Sequence, residues 1–174
     1  MIELERTFLA KKFPDGFESS DRREMVDIYL PSSSHHPNLR IRKNGEKYEM
    51  TKKTPLKEGD SSRQREETIV LTPEEFEELS ELEGKRVSKT RYLFPWGERV
   101  CEIDVFGGDL RGLVLFDFEF ENEEEQEAFT PPEYCLAEVT QETFLAGGML
   151  CGKVYSDIEK ELGRFGYPPL YFYE

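Results

Sequence analysis

The sequence predicts an α+β chain, mainly β: a closed antiparallel barrel, or tunnel, of about eight strands with a few peripheral helices and a C-terminal helix. Three observations carry this reading. Segment after segment alternates apolar and polar residues with a period of two, the pattern of half-buried strands. Turn residues, among them Asn44-Gly45, recur between these segments at hairpin spacing. Charged residues recur at i and i+2 with one sign per strand, which suits strands whose charged faces converge on a shared interior.

Residues 2–11 form the first predicted strand. Ile2, Leu4, Phe8 and Ala10 share one face, broken by Arg6, and Glu3, Glu5, Thr7, Leu9 and Lys11 share the other. Pro14-Asp15-Gly16 ends it with turn chemistry. Residues 24–30 read as a second strand, followed by a loop from Pro31 to Pro37. Residues 38–43 and 46–53 flank Asn44-Gly45 as a hairpin. A polar stretch from Pro55 to Ser62 leads to a strand over 63–71. Thr72 as N-cap, Pro73 at the first position and Glu75 as the capping-box acid start a short helix running to about Leu82. Residues 86–94, 99–106 and 112–121 form three further strands, separated by Pro95-Trp96-Gly97 and Gly107-Gly108. Glu123 to Ala128 is one helical turn or two, and 134–139 is a last strand. Val154, Tyr155, Ile158 and Leu162 recur at helical spacing, so 152–164 is a C-terminal amphipathic helix. The apolar tail from Pro168 to Tyr173 packs on the body. Without repeat or long linker, 1–174 reads as one domain.

Charged residues make up 34% of the chain, above the usual ~25%, and the formal net charge is −14. A balance of that sign argues against a general nucleic-acid or anionic-membrane binder, but not against a small anion held by a local basic cluster. Cys101, Cys135 and Cys151 are odd in number and show no CxxC spacing, so a reducing compartment, the cytoplasm, is expected. The N-terminus is acidic without an apolar signal core, and no run approaches a membrane span.

The charges are segregated. Glu3 and Glu5 are an acidic pair; Arg40 and Arg42 are a basic pair on the hairpin. Lys47, Glu49, Thr51 and Lys53 lie on one face of its return strand, and Arg63, Arg65 and Glu67 on one face of the next. Lys89 and Arg91 form another basic pair. In Phe116 to Glu121 three aromatics face one way and three carboxylates the other. Any one such pair is an ordinary solvated sheet face. Together they suit a lumen where a polyanion and metal ions bridge acids and bases: carboxylate pairs ligate hard cations, and Arg and Lys pairs grip phosphate oxygens.

In order, Glu-x-Glu, Arg-x-Arg, Thr-x-Lys, Arg-x-Glu, Lys-x-Arg, Asp and acidic-x-Glu resemble the CYTH superfamily of triphosphate tunnel metalloenzymes: tripolyphosphatases, thiamine triphosphatases and class IV adenylate cyclases. The likeness runs from Glu3 to Glu119. It implies that Glu3, Glu5, Asp117 and Glu119 hold a metal ion, Mg2+ or Mn2+. It further implies substrate contacts from Arg40, Arg42, Lys53, Arg65, Glu67, Lys89, Arg91 and Asp104. Glu3, Glu5, Lys89 and Arg91 would be catalytic. Glu138-Val139-Thr140 resembles a segment that precedes the closing helix, and Lys153 resembles a C-terminal lysine of some thiamine triphosphatases. Two positions depart from the pattern: Thr7 stands where Lys is usual, and Ile69 where a second acid is usual.

The implied activity is metal-dependent hydrolysis of a small triphosphate. Cyclisation of ATP, a silent triphosphate-binding module and an unrelated β protein are the alternatives, the departures at Thr7 and Ile69 motivating the second. A second copy of the chain is a candidate partner. Gly147 to Lys153 fits GxxxxGK, but Val154 supplies no hydroxyl for Mg2+ and too little chain follows for an α/β domain. His35-His36 lies in a Ser-rich loop without a third ligand nearby and reads as solvated.

Overall fold

The computed structural model describes residues 2–173. Its strands are β1 (Ile2–Ala10), β2 (Asp21–Leu30), β3 (Leu39–Asn44), β4 (Lys47–Pro55), β5 (Arg63–Leu71), β6 (Lys85–Trp96), β7 (Arg99–Phe106), β8 (Val114–Phe120) and β9 (Cys135–Glu138). The helices are α1 (Pro73–Ser80), α2 (Glu123–Ala128), α3 (Gly147–Leu150) and α4 (Tyr155–Gly163). The expected strands are all present. β2 starts earlier than the sequence suggested, the C-terminal helix starts later, and α3 was not foreseen. Gly45, with φ of 58°, and Glu46 make the β3–β4 turn, one residue on from Asn44-Gly45. At α1 the expected capping box forms: Thr72 Oγ1 accepts from the Glu75 N–H at 3.2 Å, and Glu75 Oε2 accepts from the Thr72 N–H at 2.8 Å.

The strands pair antiparallel in the order β5-β4-β3-β2-β6-β7-β8-β1-β9, and β5 also pairs with β1. Eight strands therefore close into a barrel with β9 added outside it. Closure rests on one shared strand edge. Ile2 to Leu4 of β1 pair with β5, and Phe8 to Ala10 of the same edge pair with β9. Between them the Gln126 side-chain amide of α2 donates to the main-chain oxygens of Glu5 at 3.0 Å and Ser62 at 3.2 Å. That amide satisfies carbonyls at the point where β1 changes partner.

Alternation separates three apolar clusters from the charged interior. Leu4, Phe8, Tyr92, Ile103, Phe116 and Phe118 lie on the outer wall of β1 and β6–β8, under Phe17 and the tail residue Phe172. Ile28 and Ile41 pack with Phe76 of α1 on the opposite wall. A third cluster, from Leu9, Phe106, Leu113 and Leu115 to Leu145, Leu150, Ile158 and Leu162, fills one end of the barrel and joins it to α3 and α4. Close approach, not a left-handed backbone, requires glycine at the start of α3. A Cβ on Gly147 would sit 2.0 Å from the Tyr29 hydroxyl, and one on Gly148 would sit 2.1 Å from the Pro37 carbonyl oxygen.

Since the Gly148 neighbour is backbone, it cannot rotate away. Gly148→Ala is expected to lower the unfolding free energy by about 1–3 kcal/mol. Urea titration checks this; an unchanged midpoint would mean that α3 does not seat against the 31–38 loop as described.

Candidate active site

Inward side chains enclose a cavity of about 450 Å³. Following the cross-strand pairs around the barrel, with its tilted strands, arranges them in stacked rings. One ring holds Glu3, Glu119, Glu102, Arg91, Arg42, Thr51 and Glu66. The next holds Glu5, Asp117, Asp104, Lys89, Asp27, Arg40, Lys53 and Gln64. Below lie Thr7, Leu115, Phe106, Val87 and Tyr29, against the third apolar cluster.

Ten of the residues expected at the site line this cavity: Glu3, Glu5, Arg40, Arg42, Lys53, Lys89, Arg91, Asp104, Asp117 and Glu119. Three do not. Arg65 and Glu67 are exposed on the outside of β5, because Lys53 pairs with Glu66 and Pro55 with Gln64, and paired residues share a face. The acid that β5 turns inward is Glu66. The strand Arg63-Gln-Arg-Glu-Glu67 is polar on both faces, so alternation could not set its phase. Lys153 sits in the turn between α3 and α4, outside the lining residues. Ile69 is on the outer face and 63% exposed, so no lumen acid is missing there. Thr7 does line the lumen, and its Oγ1 donates to Asp117 Oδ1 at 2.6 Å.

Four lumen groups were not anticipated: Asp27, Tyr29, Glu66 and Glu102. The signal for Asp27 was a lone carboxylate in the otherwise apolar strand Met25 to Leu30, buried opposite Arg42. The His35-His36 loop is not wholly solvated, since His36 lines the cavity with Pro37 and Asn38. Gly147 to Lys153 forms a short helix and turn rather than a phosphate loop.

The bases are held by acids. Arg42 donates Nε and Nη2 to the two oxygens of Asp27, both at 2.6 Å. Arg91 forks onto Asp104 at 2.6 and 2.7 Å, also pairs with Glu102, and reaches Asp117 at 3.4 Å. Lys89 pairs with Asp104; Lys53 pairs with Glu3 and reaches Glu66 at 3.4 Å. Buried Arg40 Nε has no acceptor. An orphaned guanidinium donor in a lumen is an unmet demand for an anionic oxygen.

Burial and charge divide the acids into two groups. Burial alone would raise Asp104, but Arg91 and then Lys89 outweigh it and hold this carboxyl well below its usual range. Burial likewise opposes ionisation of Asp27, yet Arg42 brings it from 3.8 down to about 2. On the other side of the lumen the shifts are upward. Burial, with Glu3 and Asp117 adding to it against Lys53, lifts Glu5 from 4.5 to about 7. Burial raises Asp117, with Asp104 adding, and raises Glu119, with Glu102 and Glu3 adding. Lys89 is lowered by burial and by Arg91.

The sequence matches the CYTH domain over residues 1–149. It is 40% identical over 145 residues to an inorganic triphosphatase of Nitrosomonas europaea, covering 82% of this chain and 91% of that protein. The crystal structure of an inorganic triphosphatase superposes with a TM-score of 0.63 at 33% identity, over 87% of this chain and 95% of that one. A conserved hypothetical protein of Pyrococcus furiosus shares the fold, with a TM-score of 0.52 at 20% identity over 72% and 83% of the two chains. This chain belongs to the CYTH family, whose tunnel enzymes are metal-dependent in general.

The acids on β1 and β8 fit a hard divalent cation. All are oxygen donors, Glu5 lies opposite Glu119 and Thr7 opposite Asp117, and burial raises Glu5, Asp117 and Glu119, with neighbouring carboxylates adding to it. Among the described residues no three acids are already gathered in ligating geometry. Glu3 is turned to Lys53 and Asp117 to Thr7 and Arg91, so a cation would have to draw them from these partners.

Asp27 gives a pH test. Its folded pKa lies below the unfolded value, so the stability it contributes is complete above pH about 4 and is lost as pH falls toward about 2. A shift of that size is worth roughly 2 kcal/mol. The stability gap between wild type and Asp27→Asn, from urea unfolding, should be flat above pH 4 and shrink below it. A gap that widened on acidification would contradict the Asp27–Arg42 pairing.

Proposed function

We propose that this chain hydrolyses a small triphosphate, inorganic tripolyphosphate first of all, inside the barrel and with Mg2+ or Mn2+ bound. The observation that carries this is the meeting of Arg40, Arg42, Lys53, Lys89 and Arg91 with a bank of carboxylates in one enclosed lumen. The identity to an inorganic triphosphatase supports it.

The lumen itself calls for a cation. Ten carboxylates and five Lys or Arg side chains line it, so a highly charged anion would enter a negative field. Glu3, Glu5, Asp117 and Glu119 would hold the metal, which supplies polarisation of a phosphoryl oxygen and charge neutralisation when bound. Arg40 and Arg91 orient the phosphate oxygens, Arg40 through the donor now without an acceptor. Asp27 and Asp104 fix Arg42, Lys89 and Arg91 in place, so these donors need little reorganisation when charge builds on the transferred group. Water attacks the terminal phosphorus and the bridging P–O bond breaks. The electron pair stays on the departing oxygen, giving orthophosphate and pyrophosphate with one proton released to solvent.

Purified protein with Mg2+ or Mn2+ should release phosphate from tripolyphosphate, and EDTA should abolish release. Arg40→Ala and Arg91→Ala should each lower kcat/KM on the order of 100-fold or more. Arg65→Ala, on the outer wall, should stay within about 2-fold of wild type. Tight calorimetric binding of tripolyphosphate without turnover would replace the enzyme reading with a binding module; cyclic AMP formed from ATP would replace it with a cyclase.

A further inference from the structure

We propose that Thr140 and Gln126 are positioning residues for the divalent cation: from the outer side of the barrel they hold the stretch of β1 that carries Glu5 and Thr7, and so set the acids that would receive it. This rests on the metal-dependent hydrolase reading above and deepens it at two residues outside the proposed metal and phosphate contacts.

β1 changes partner along one edge, and the change leaves a gap in the main-chain ladder. The last bond toward β5 runs from the Glu5 N–H to the Ser62 oxygen at 3.3 Å. The first toward β9 runs from the Val139 N–H to the Thr7 oxygen at 2.8 Å. Between them on that edge lie two main-chain groups, the Glu5 carbonyl and the Thr7 N–H. Each is met by a side chain. Gln126 Nε2 donates to the Glu5 oxygen at 3.0 Å, and Thr140 Oγ1 accepts from the Thr7 N–H at 3.1 Å. Elsewhere in the sheet a neighbouring strand supplies such bonds; here one amide and one hydroxyl do.

The two side chains are themselves fixed on the outer wall. Arg6 donates to the main-chain oxygens of Gln126 at 3.2 Å and Phe129 at 3.0 Å, and forks onto Glu138 at 2.9 and 2.6 Å. Glu138 Oε1 accepts from the Thr140 hydroxyl at 2.8 Å, which leaves the Thr140 oxygen lone pairs for the Thr7 N–H. Thr140 lines both the lumen and a second cavity of about 260 Å³ beside Arg6, Ser62 and Gln126. The wall at the gap is therefore one side chain thick, with no further layer to hold β1 if that side chain is lost.

What the gap carries is the acidic wall. Glu5 and Thr7 point inward from it, Glu5 opposite Glu119, and Thr7 Oγ1 donates to Asp117 Oδ1 at 2.6 Å. A shift of β1 here moves the Glu5 carboxylate directly and the Asp117 carboxylate through the Thr7 hydroxyl. Partners that orient ligands in this way set metal affinity, typically by about 10–100-fold. The bases Arg40, Arg42, Lys53, Lys89 and Arg91 sit on β3, β4 and β6, none of which pairs with β1. Loss of either side-chain bond should therefore weaken the cation and spare the phosphate chain.

Mn2+ titration, followed by loss of the free-ion EPR signal, tests this without turnover. Binding that disappears in Glu119→Gln is assigned to the lumen. Thr140→Val keeps the shape and removes the hydroxyl; it should raise the lumen Kd on the order of 10-fold or more, while Thr140→Ser should stay within about 3-fold of wild type. The KM for tripolyphosphate at saturating Mn2+, or its calorimetric Kd where turnover is absent, should stay within about 3-fold in all three proteins. An unchanged lumen Kd in Thr140→Val would overturn the proposal, as would a parallel loss of tripolyphosphate affinity or a wild type without lumen Mn2+. Urea midpoints show which variants are folded. Where Thr140→Val is not, Gln126→Met is read in its place, and loss of the fold in both would make the pair structural and end the positioning role. Failure to hydrolyse tripolyphosphate would count against the hydrolase reading alone, since the Mn2+ constants still decide the positioning.

Discussion

A sheet that closes with its charged face inward leaves no solvent face on which those charges can relax. That constraint organises this molecule. Each buried ion must find an opposite partner, because an unpaired one costs several kcal/mol. The lumen answers with cross-strand pairs: Asp27 with Arg42, Asp104 with Lys89 and Arg91, Glu3 with Lys53. What remains is unequal on the two sides. The β1 and β8 wall keeps acids in excess, while β3 keeps a guanidinium donor with no acceptor. On the proposed function, a metal cation and a phosphate chain would complete both halves together.

Closure itself is narrow. β1 lends three residues of one edge to β5 and three to β9, and Gln126 fills the junction. The same strand carries Glu3, Glu5 and Thr7 into the lumen, so the geometry of the acidic wall depends on how that edge is shared. Arg6, on the opposite face, pairs with Glu138 of β9 at 2.6 Å and lies over the rings of Phe8 and Phe129. One strand thus anchors the seam from outside and presents acids inside.

Much of this was legible in the sequence because period-two alternation reports both strand and face. In β1, β3, β6 and β8 the charged inward residues recur at i and i+2 with one sign, and Glu3, Glu5, Arg40, Arg42, Lys89, Arg91, Asp117 and Glu119 were recognised from that pattern. β5 failed for the converse reason: its charges occupy both faces, and only pairing with Lys53 and Thr51 of β4 sets Glu66 and Thr68 inward. Asp27 went unnoticed because a single carboxylate in an apolar strand has no i+2 partner to mark it. The apolar cluster at one end of the barrel was illegible too. It is assembled from residues distant in sequence, and Gly147-Gly148-Met149-Leu150 carries almost no helical signal, being chosen for close approach to Tyr29 and Pro37. Of the two departures from the family pattern, only Thr7 faces the lumen, where it serves Asp117.

The central claim is that acids and bases from separate strands surround one shared site for a phosphate chain. A crystal structure with tripolyphosphate and Ca2+, in place of a metal supporting turnover, tests this most directly. Phosphate density between Arg40, Arg42, Lys89 and Arg91, with the cation against Glu5 and Glu119, is the expected result. An empty lumen with tripolyphosphate bound on the outer wall, beside Arg65 or Lys47, would contradict it.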